Sequence, residues 1–332
     1  MINVPNIPSI AGQVNIPRVG NSQSQKTIFI SIASYRDPDL VNTVRDAYEK
    51  AAFKDRIFFS IVSQADILEH PDLSFIPEDQ IRYLKCFWRE SQGVCWAREI
   101  ASRDITQDYF FQIDSHSRFI PNWDKVVTEN YVECERHWGS AIAFTRHPKG
   151  FKIDHDTGVE EFYDANQKPM RGAMCFNDAE TMPWPEWFEC EHSKYGHEAY
   201  FLCANSLFCD ARIIKAIPYD KDLYFIGEEP TLTLRFYTRK VKLINPPVHY
   251  MWHAYNPGYA TDKRRLHWQD NPNWELLNKK SYFKAAKILT GDMSFGVYGI
   301  SSKELYDEFQ ERAHIVLHDK YDRFTSGWTN AT

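Results

Sequence analysis

The sequence predicts an α/β fold with a mostly parallel central sheet. Residues 27–33 are mostly apolar and rich in β-branched side chains, which is typical of a strand, and apolar residues at helical spacing follow them. Residues 57–64 are a second strand-like segment. Strand, helix and strand in this order give parallel neighbours, because the crossover returns the chain in the same direction. In Tyr109–Ile113 four of the five residues are apolar, as in a strand buried on both faces. Ligands of such sheets bind at the carboxyl ends of the strands.

Composition narrows the class of protein. The 332 residues are 43% hydrophobic and 25% charged, which is normal for a globular protein, and the net charge of −6 gives no general attraction to nucleic acid or anionic membranes. The aromatic share of 15% is high and suits planar surfaces for sugars or bases. The seven cysteines contain no C-x-x-C pair and indicate neither a zinc ribbon nor a disulfide framework. Without a signal peptide or a long apolar run, the sequence predicts a cytoplasmic protein.

The chain divides into three predicted parts. Residues 1–25, rich in Asn, Pro and Ser, are expected to be a flexible arm, residues 26–272 the α/β domain, and residues 273–332 a helical extension packed on it. Residues 148–197 break the periodic pattern and are expected to be an irregular insertion, which in a compact domain is usually functional. The extension should hold a helix over residues 274–289 and a final helix opened by a capping box of Ser301 and Glu304.

Polar residues follow the first two predicted strands. Asp37 before Pro38 has the form of a helix N-cap followed by the first helical residue, and ligand contact is the alternative. Gln64 ends the second strand. The residues expected at the ligand site from these two strand ends are Ser34, Tyr35, Arg36, Asp37 and Gln64.

Two side chains that bind metals follow the buried strand 109–113. Asp114 and His116 have the spacing that turns both to one side of an extended chain, although such residues also cap turns. A distant histidine completes the predicted ligand set. The candidates are His249 and His253; the prolines just upstream favour an extended path over a helix, and the hypothesis below takes His253.

Arginines supply positive charge for an anionic ligand. Arg98 lies on a predicted helix after Gly93, and its guanidinium suits bidentate binding of a diphosphate; an ion pair with Glu99 or Asp104 is the alternative. The basic run Lys263–Arg265 lies in a segment, residues 256–270, that has the character of a lid over an anionic group.

A third group of candidates lies further along the chain. Residues 200–208 are expected to form a buried strand in which Ala204 and Asn205 are small enough for close approach. Glu228 and Glu229 follow a glycine at a predicted helix start, where acids are favoured by the helix dipole. The functional alternative is a carboxylate that holds an acceptor or steadies positive charge at a reacting carbon.

One hypothesis unites these residues. A parallel sheet binds a nucleotide, Asp114, His116 and His253 hold a divalent cation, and Arg98 with the basic run neutralises a diphosphate. Mixed carboxylate and imidazole ligation suits Mn²⁺ better than Mg²⁺. The cation would stabilise a leaving nucleoside diphosphate, which is the chemistry of nucleotide-sugar glycosyl transfer.

The motifs in residues 29–37, 93–98, 114–116, 225–229 and 253–268 together resemble the cytoplasmic polypeptide N-acetylglucosaminyltransferases that modify hydroxyproline. The D-x-H pattern with its distant histidine is also similar to the mucin-type polypeptide GalNAc transferases, in which the histidine follows the last proline of the strand by six residues, as His253 follows Pro247. The resemblance covers about residues 27–320.

The resemblance implies a Rossmann-like GT-A fold, a UDP-sugar donor that is most simply UDP-GlcNAc, Mn²⁺ or Mg²⁺, retention of anomeric configuration and a polypeptide hydroxyl as acceptor. A donor phosphate oxygen would then serve as base. The residues expected to act on the donor sugar and the acceptor are Asn205, Glu228 and Glu229. Those expected to bind the donor are Ser34, Tyr35, Arg36, Asp37, Gln64, Arg98, Asp114, Arg264 and Arg265. Residues 148–197 would shape the acceptor side.

Other functions fit parts of the same pattern. A different UDP-sugar, a glycan or a modified DNA base would suit the same fold, with the basic run binding phosphate. A metal-dependent hydrolase would use the same three ligands to activate water. A sugar-binding module without catalysis would need no cation.

Overall fold

An eight-stranded sheet forms the centre of the computed structural model, which describes residues 26–139, 141–163, 168–176, 181–255 and 264–329. Its strands are β1 (Ile28–Tyr35), β2 (Ile57–Ala65), β3 (Ile81–Phe87), β4 (Tyr109–Asp114), β6 (Ile142–Thr145), β11 (His197–Glu198), β12 (Ser206–Asp210) and β13 (Lys242–Asn245). Two smaller sheets contain β5 (Ser117–Phe119), β7 (Lys149–Ile153), β8 (Glu160–Phe162) and β14 (Met251–His253), and β9 (Met170–Cys175) with β10 (Trp184–Glu189).

Helices cover the sheet and form the C-terminal part. They are α1 (Leu40–Glu49), α2 (Val94–Ala101), α3 (Trp123–Trp138), α4 (Ala211–Ala216), α5 (Glu228–Tyr237), α6 (His267–Asp270), α7 (Trp274–Leu289), α8 (Lys303–Arg312) and α9 (Tyr321–Thr329). Among the described residues, no helix combines the length and apolar character that a membrane crossing requires.

The predicted fold class is confirmed. The strand order is β11-β13-β6-β12-β4-β1-β2-β3, and the pairs β1–β2, β1–β4, β2–β3 and β6–β13 are parallel. Strand β12 runs antiparallel to both β4 and β6, and β11 runs antiparallel to β13. The carboxyl ends of β1, β2 and β4 therefore meet at one edge of the sheet.

The core explains why β4 is central. Phe110, Phe111 and Ile113 are fully buried, with Phe111 packed against Trp123 and Phe208 from the neighbouring helix and strand. Each fully buried aromatic of this kind contributes about 2–3 kcal/mol. This packing fixes the strand from which Asp114 emerges.

Several predicted local features are wrong. Helix α1 starts at Leu40 with Asp39 as its N-cap residue, so Asp37 is not the cap. The predicted strand 200–208 begins later than expected, because the sheet strand is Ser206–Asp210. Residues 200–205 turn instead over the first half of α5, where Leu202 N donates to Thr233 Oγ1 and Ala204 N donates to Glu229 Oε1.

The C-terminal part and residues 148–197 also differ from expectation. Ser302, not Ser301, caps α8, and its hydroxyl accepts a hydrogen bond from Leu305 N. Helix α8 is followed by α9 and is not the last helix. The described part of residues 148–197 contains the strands β7–β10 and the first residue of β11, joined by segments without regular structure. Residues 1–25 lie outside the described residues, and the division at residue 272 stays a prediction.

Candidate active site

Strand register brings the three predicted metal ligands together. In the antiparallel pair of β5 and β14, His253 lies opposite Ser117, and Ala254 N donates to His116 O at 3.0 Å. A ligand atom from each of Asp114, His116 and His253 lies within 4.8 Å of the other two, and the two imidazole centroids are 4.7 Å apart. Residues that are far apart in sequence thus form one cluster at the carboxyl end of β4.

Asp37 orients His116. Asp37 Oδ2 lies 2.7 Å from His116 Nδ1 and also accepts a hydrogen bond from Ser115 Oγ at 2.7 Å, while Asp37 Oδ1 accepts from Asp39 N at 2.9 Å. Burial raises the pKa of Asp37, but its hydrogen bonds, first that with His116 and then those from Ser115 and Asp39, outweigh burial, and the net pKa is lowered. An ionised carboxylate at Nδ1 keeps the proton there and directs the Nε2 lone pair toward the other two ligands.

A buried ion-pair network holds Asp114. Arg98 Nη2 donates to Asp114 Oδ1 at 2.7 Å, and Arg98 Nη1 donates to both carboxylate oxygens of Glu228 at 2.6 Å. Burial raises the pKa of Asp114, but the Arg98 guanidinium and the nearby imidazoles hold it well below its usual range. The predicted alternative for Arg98 is wrong, since Glu99 pairs with Arg103 instead.

The three ligands have the chemistry that a divalent cation needs. The second oxygen of Asp114 lies 3.1 Å from His253 Nε2. Burial lowers the pKa of His253 to about 4, so its imidazole is neutral at pH 7. One ionised carboxylate and two imidazoles fit Mn²⁺, Fe²⁺ or Zn²⁺ better than Mg²⁺.

A cavity of about 310 Å³ opens beside the ligands, and we call it the first cavity. Its volume is in the range of small-molecule sites. It is lined by the ends of β1, β2 and β4, by the start of α2 and by residues 264–268. The candidate residues on its wall are Tyr35, Asp37, Gln64, Arg98, Asp114, His116, Arg264 and Arg265.

Ser34 and Arg36, which were predicted to bind the donor substrate, are not among the residues that line the first cavity. Ser34 is buried, and its carbonyl accepts from the side chain of Gln64 at 3.2 Å. Arg36 forms an ion pair with Asp270, and its guanidinium carbon lies 4.5 Å from the centroid of the Trp88 ring. Arg264 donates to Ala254 O at 2.6 Å. Lys263, the remaining member of the basic run, lies outside the described residues.

A second cavity of about 150 Å³ adjoins the first, and Arg98, Asp114 and Phe225 line both. It collects the third group of predicted residues, Asn205, Glu228 and Glu229, on its wall. Burial and then the charge of Glu228 raise the pKa of Glu229 to about 8. Trp184, the first residue of β10, is 46% exposed at this cavity.

Sequence reasoning missed the residues that hold the first cavity together from outside the sheet. Asp270 accepts a hydrogen bond from Tyr35 Oη at 2.5 Å, and His267 Nδ1 lies 2.7 Å from Tyr224 Oη. The first contact joins α6 to β1, the second joins α6 to Tyr224, and no periodic pattern marks such contacts. Gly93 is the one residue in the sequence that could have indicated the close approach of Tyr224, because its φ is +101° and a Cβ there would lie 2.3 Å from Tyr224 O.

The sequence matches the model of the family described as Glycosyltransferase (GlcNAc) over residues 27–76 and 69–327. No curated protein matches the chain in sequence.

Solved structures of TarS from S. aureus are similar to the chain at low identity. One TarS structure has a TM-score of 0.49 at 11% identity and covers 87% of this chain, which spans only 43% of that TarS chain. A structure of TarS 1–349 in complex with UDP-GlcNAc has a TM-score of 0.49 at 12% identity, covering 91% of this chain and 74% of that one. A complex of TarS 1–349 with UDP has a TM-score of 0.43 at 10% identity, covering 87% and 91%.

Proposed function

The chain belongs to the Glycosyltransferase (GlcNAc) family, and we propose that it transfers N-acetylglucosamine from UDP-GlcNAc to a polypeptide hydroxyl, using Mn²⁺ and retaining the anomeric configuration. The observation that carries the proposal is the cluster of Asp114, His116 and His253, of which Asp114 lines both adjoining cavities and His116 lines the first. A site of this kind has room for a nucleotide on one side of a cation and for the reacting groups on the other.

The first cavity is assigned to UDP. It is lined by strand ends, where open α/β sheets bind their ligands, and Tyr35 and Gln64 are among the lining residues from β1 and β2. Arg264 and Arg265 also line it and supply positive charge. The diphosphate would lie between these arginines and the metal ligands.

The predicted contact of Arg98 with the diphosphate remains part of this proposal in a modified form. Its Nη atoms already donate to Glu228 and Asp114, and the residue is only 4% exposed. Its positive charge therefore attracts the diphosphate mainly by electrostatic interaction at a distance, and its direct contact is with the Asp114 carboxylate.

Asp114, His116 and His253 would hold the cation. When bound, Mn²⁺ supplies Lewis-acid stabilisation of the negative charge that remains on UDP after the sugar leaves. Arg98 fixes Asp114 Oδ1, so that Oδ2 faces the imidazoles, and Asp37 fixes the tautomer of His116. The protein thus presents the ligand atoms already oriented.

Retention is proposed from the state of the carboxylates at the second cavity. Both oxygens of Glu228 accept from Arg98, and Glu229 accepts from Ala204 N at 2.8 Å with a pKa of about 8. A double-displacement nucleophile or a general base must be ionised and accessible at neutral pH. A donor phosphate oxygen is then the base that takes the acceptor proton, while Glu229 lies where its carboxyl can hydrogen-bond the sugar or the acceptor.

The donor test is a thermal-shift panel of UDP-sugars with and without Mn²⁺. We expect UDP-GlcNAc with Mn²⁺ to stabilise the protein most, by about 2.7 kcal/mol at a hundredfold excess over Kd. Slow hydrolysis of UDP-GlcNAc that requires Mn²⁺ should accompany this and be lost in Asp114→Asn, with a normal circular dichroism spectrum. Hydrolysis that is unchanged in Asp114→Asn, or a larger shift with another UDP-sugar, would contradict the proposal.

A further inference from the structure

We propose that the acceptor polypeptide binds in extended form along the free edge of β10 and is delivered by that strand to the second cavity. The inference rests on the proposed function and names how its acceptor is held. It assigns a binding site to the ribbon β9–β10, which forms part of residues 148–197.

Strand β10 starts at the second cavity. Trp184 begins β10 and also lines the second cavity, together with Glu228, Glu229 and Asn205. The second cavity shares Asp114 and Arg98 with the first cavity. A segment that follows β10 therefore reaches the place where the sugar of the donor must lie.

Strand β10 is paired along one of its edges. Strand β9 is its strand partner among the described residues, and Glu189 lies opposite Met170. One residue beyond, Cys190 N donates to Pro169 O at 2.8 Å. Hydrogen-bonded and outward-facing positions alternate in an antiparallel pair, so residues 185, 187 and 189 direct their backbone groups away from β9.

These outward groups form an open edge. Within the described part of the chain, no hydrogen-bond partner occupies the N–H groups of Trp187 and Glu189 or the C=O groups of residues 185, 187 and 189. Pro185, which has no N–H, stands at an outward position, where a strand edge tolerates proline. An added strand is the ligand that satisfies such a row of groups, and main-chain pairing supplies affinity without a fixed sequence.

The exposed face of β10 carries aromatic and acidic side chains. Trp184 and Phe188 are 46% and 41% exposed, with the exposed Glu186 between them on the same face of β10. Glu186 and Glu189 have no ion-pair partner among the residues that the structure describes, while Glu191 pairs with Lys168. The favoured occupant is an extended segment with apolar side chains spaced two apart and a Lys or Arg beside them.

The test uses UDP-GlcNAc, Mn²⁺ and a set of eight-residue peptides, each with one Ser, Thr or hydroxyproline and with either Lys or Glu at the flanking positions. Glu189→Pro removes an outward N–H without touching the β9 ladder, and Glu189→Ala is the matched control that keeps this N–H. For the peptides that are modified, we expect KM to be about tenfold higher in Glu189→Pro than in Glu189→Ala, the effect of one lost hydrogen bond to an added strand. Lys peptides should be preferred over Glu peptides.

Hydrolysis of UDP-GlcNAc without acceptor separates the two proposals. If the wild type neither hydrolyses nor transfers, the proposed function fails. If hydrolysis is normal but both Glu189 variants have the same peptide KM, or no peptide is modified while a glycan is, the β10 site is overturned. If Glu189→Pro does not fold, the test uses instead a series of acceptor peptides, each with one backbone nitrogen methylated. Methylation at alternate peptide positions should abolish transfer, and transfer that is equal for all methylated positions would refute pairing with β10.

Discussion

Replacing Asp37 by Asn should weaken metal binding without removing any metal ligand. The carboxylate accepts from His116 Nδ1 at 2.7 Å, from Ser115 Oγ at 2.7 Å and from Asp39 N at 2.9 Å, all in a buried site. Asn keeps the shape but loses the negative charge that holds the Nδ1 proton of His116. Partners of this kind are worth about 10–100-fold in metal affinity, which corresponds to about 1.4–2.7 kcal/mol.

The assay is isothermal titration of Mn²⁺ in the presence of UDP. The matched control is Ser115→Ala, which removes a hydrogen bond to the same carboxylate but leaves the contact with His116, and it should change the Mn²⁺ Kd by less than about threefold. Equal Mn²⁺ affinities in wild type and Asp37→Asn, with equal melting temperatures, would refute the orienting role of Asp37.

Three further predictions concern stability. Gly93→Ala should lower the free energy of unfolding by about 2 kcal/mol or more, because φ is +101° and the Cβ would lie 2.3 Å from Tyr224 O; an unchanged urea midpoint would contradict it. Glu228→Ala should cost about 3 kcal/mol by leaving Arg98 partly unpaired, and Glu228→Gln less; equal denaturation curves for both variants and wild type would count against the buried pair. The pKa of Glu229 is raised to about 8, so the folded protein binds more protons than the unfolded chain between about pH 4.5 and 8. The free energy of unfolding therefore falls as the pH rises through this window, and Glu229→Gln should remove that fall. Parallel pH profiles of stability for wild type and Glu229→Gln would contradict the raised pKa.

The parts of the fold with strong local patterns could be predicted from the sequence. Helix α7 begins and ends where its pattern does, at Trp274 and Leu289, and the parallel arrangement of β1, β2 and β4 follows from alternating strand and helix signals. Residues 200–205 were predicted wrongly because their apolar character comes from burial over α5 and not from sheet pairing. Strands β9 and β10 form a two-stranded ribbon whose alternation is obscured by Pro185 and adjacent aromatics.

The candidate site shows the same limit. Spacing could place Asp114 and His116 on one side of a strand end, and prolines could favour an extended path to His253, since both are local properties. The partners of Arg98 and Asp37 could not be predicted, because they depend on tertiary contacts across 130 and 79 residues. Capping was a reasonable interpretation of Asp37 before Pro38, yet burial beside His116 gave the carboxylate a different partner.

In the proposed site, Asp114, His116 and His253 coordinate one cation that also binds the diphosphate of the donor. Electron spin-echo envelope modulation of Mn²⁺ bound with UDP measures both kinds of contact at once. The predicted spectrum shows nitrogen coupling from two directly bound imidazoles, reduced to one in His116→Ala and in His253→Ala, together with phosphorus coupling from UDP. Phosphorus coupling without any histidine nitrogen, or nitrogen coupling unchanged in both variants, would contradict the account.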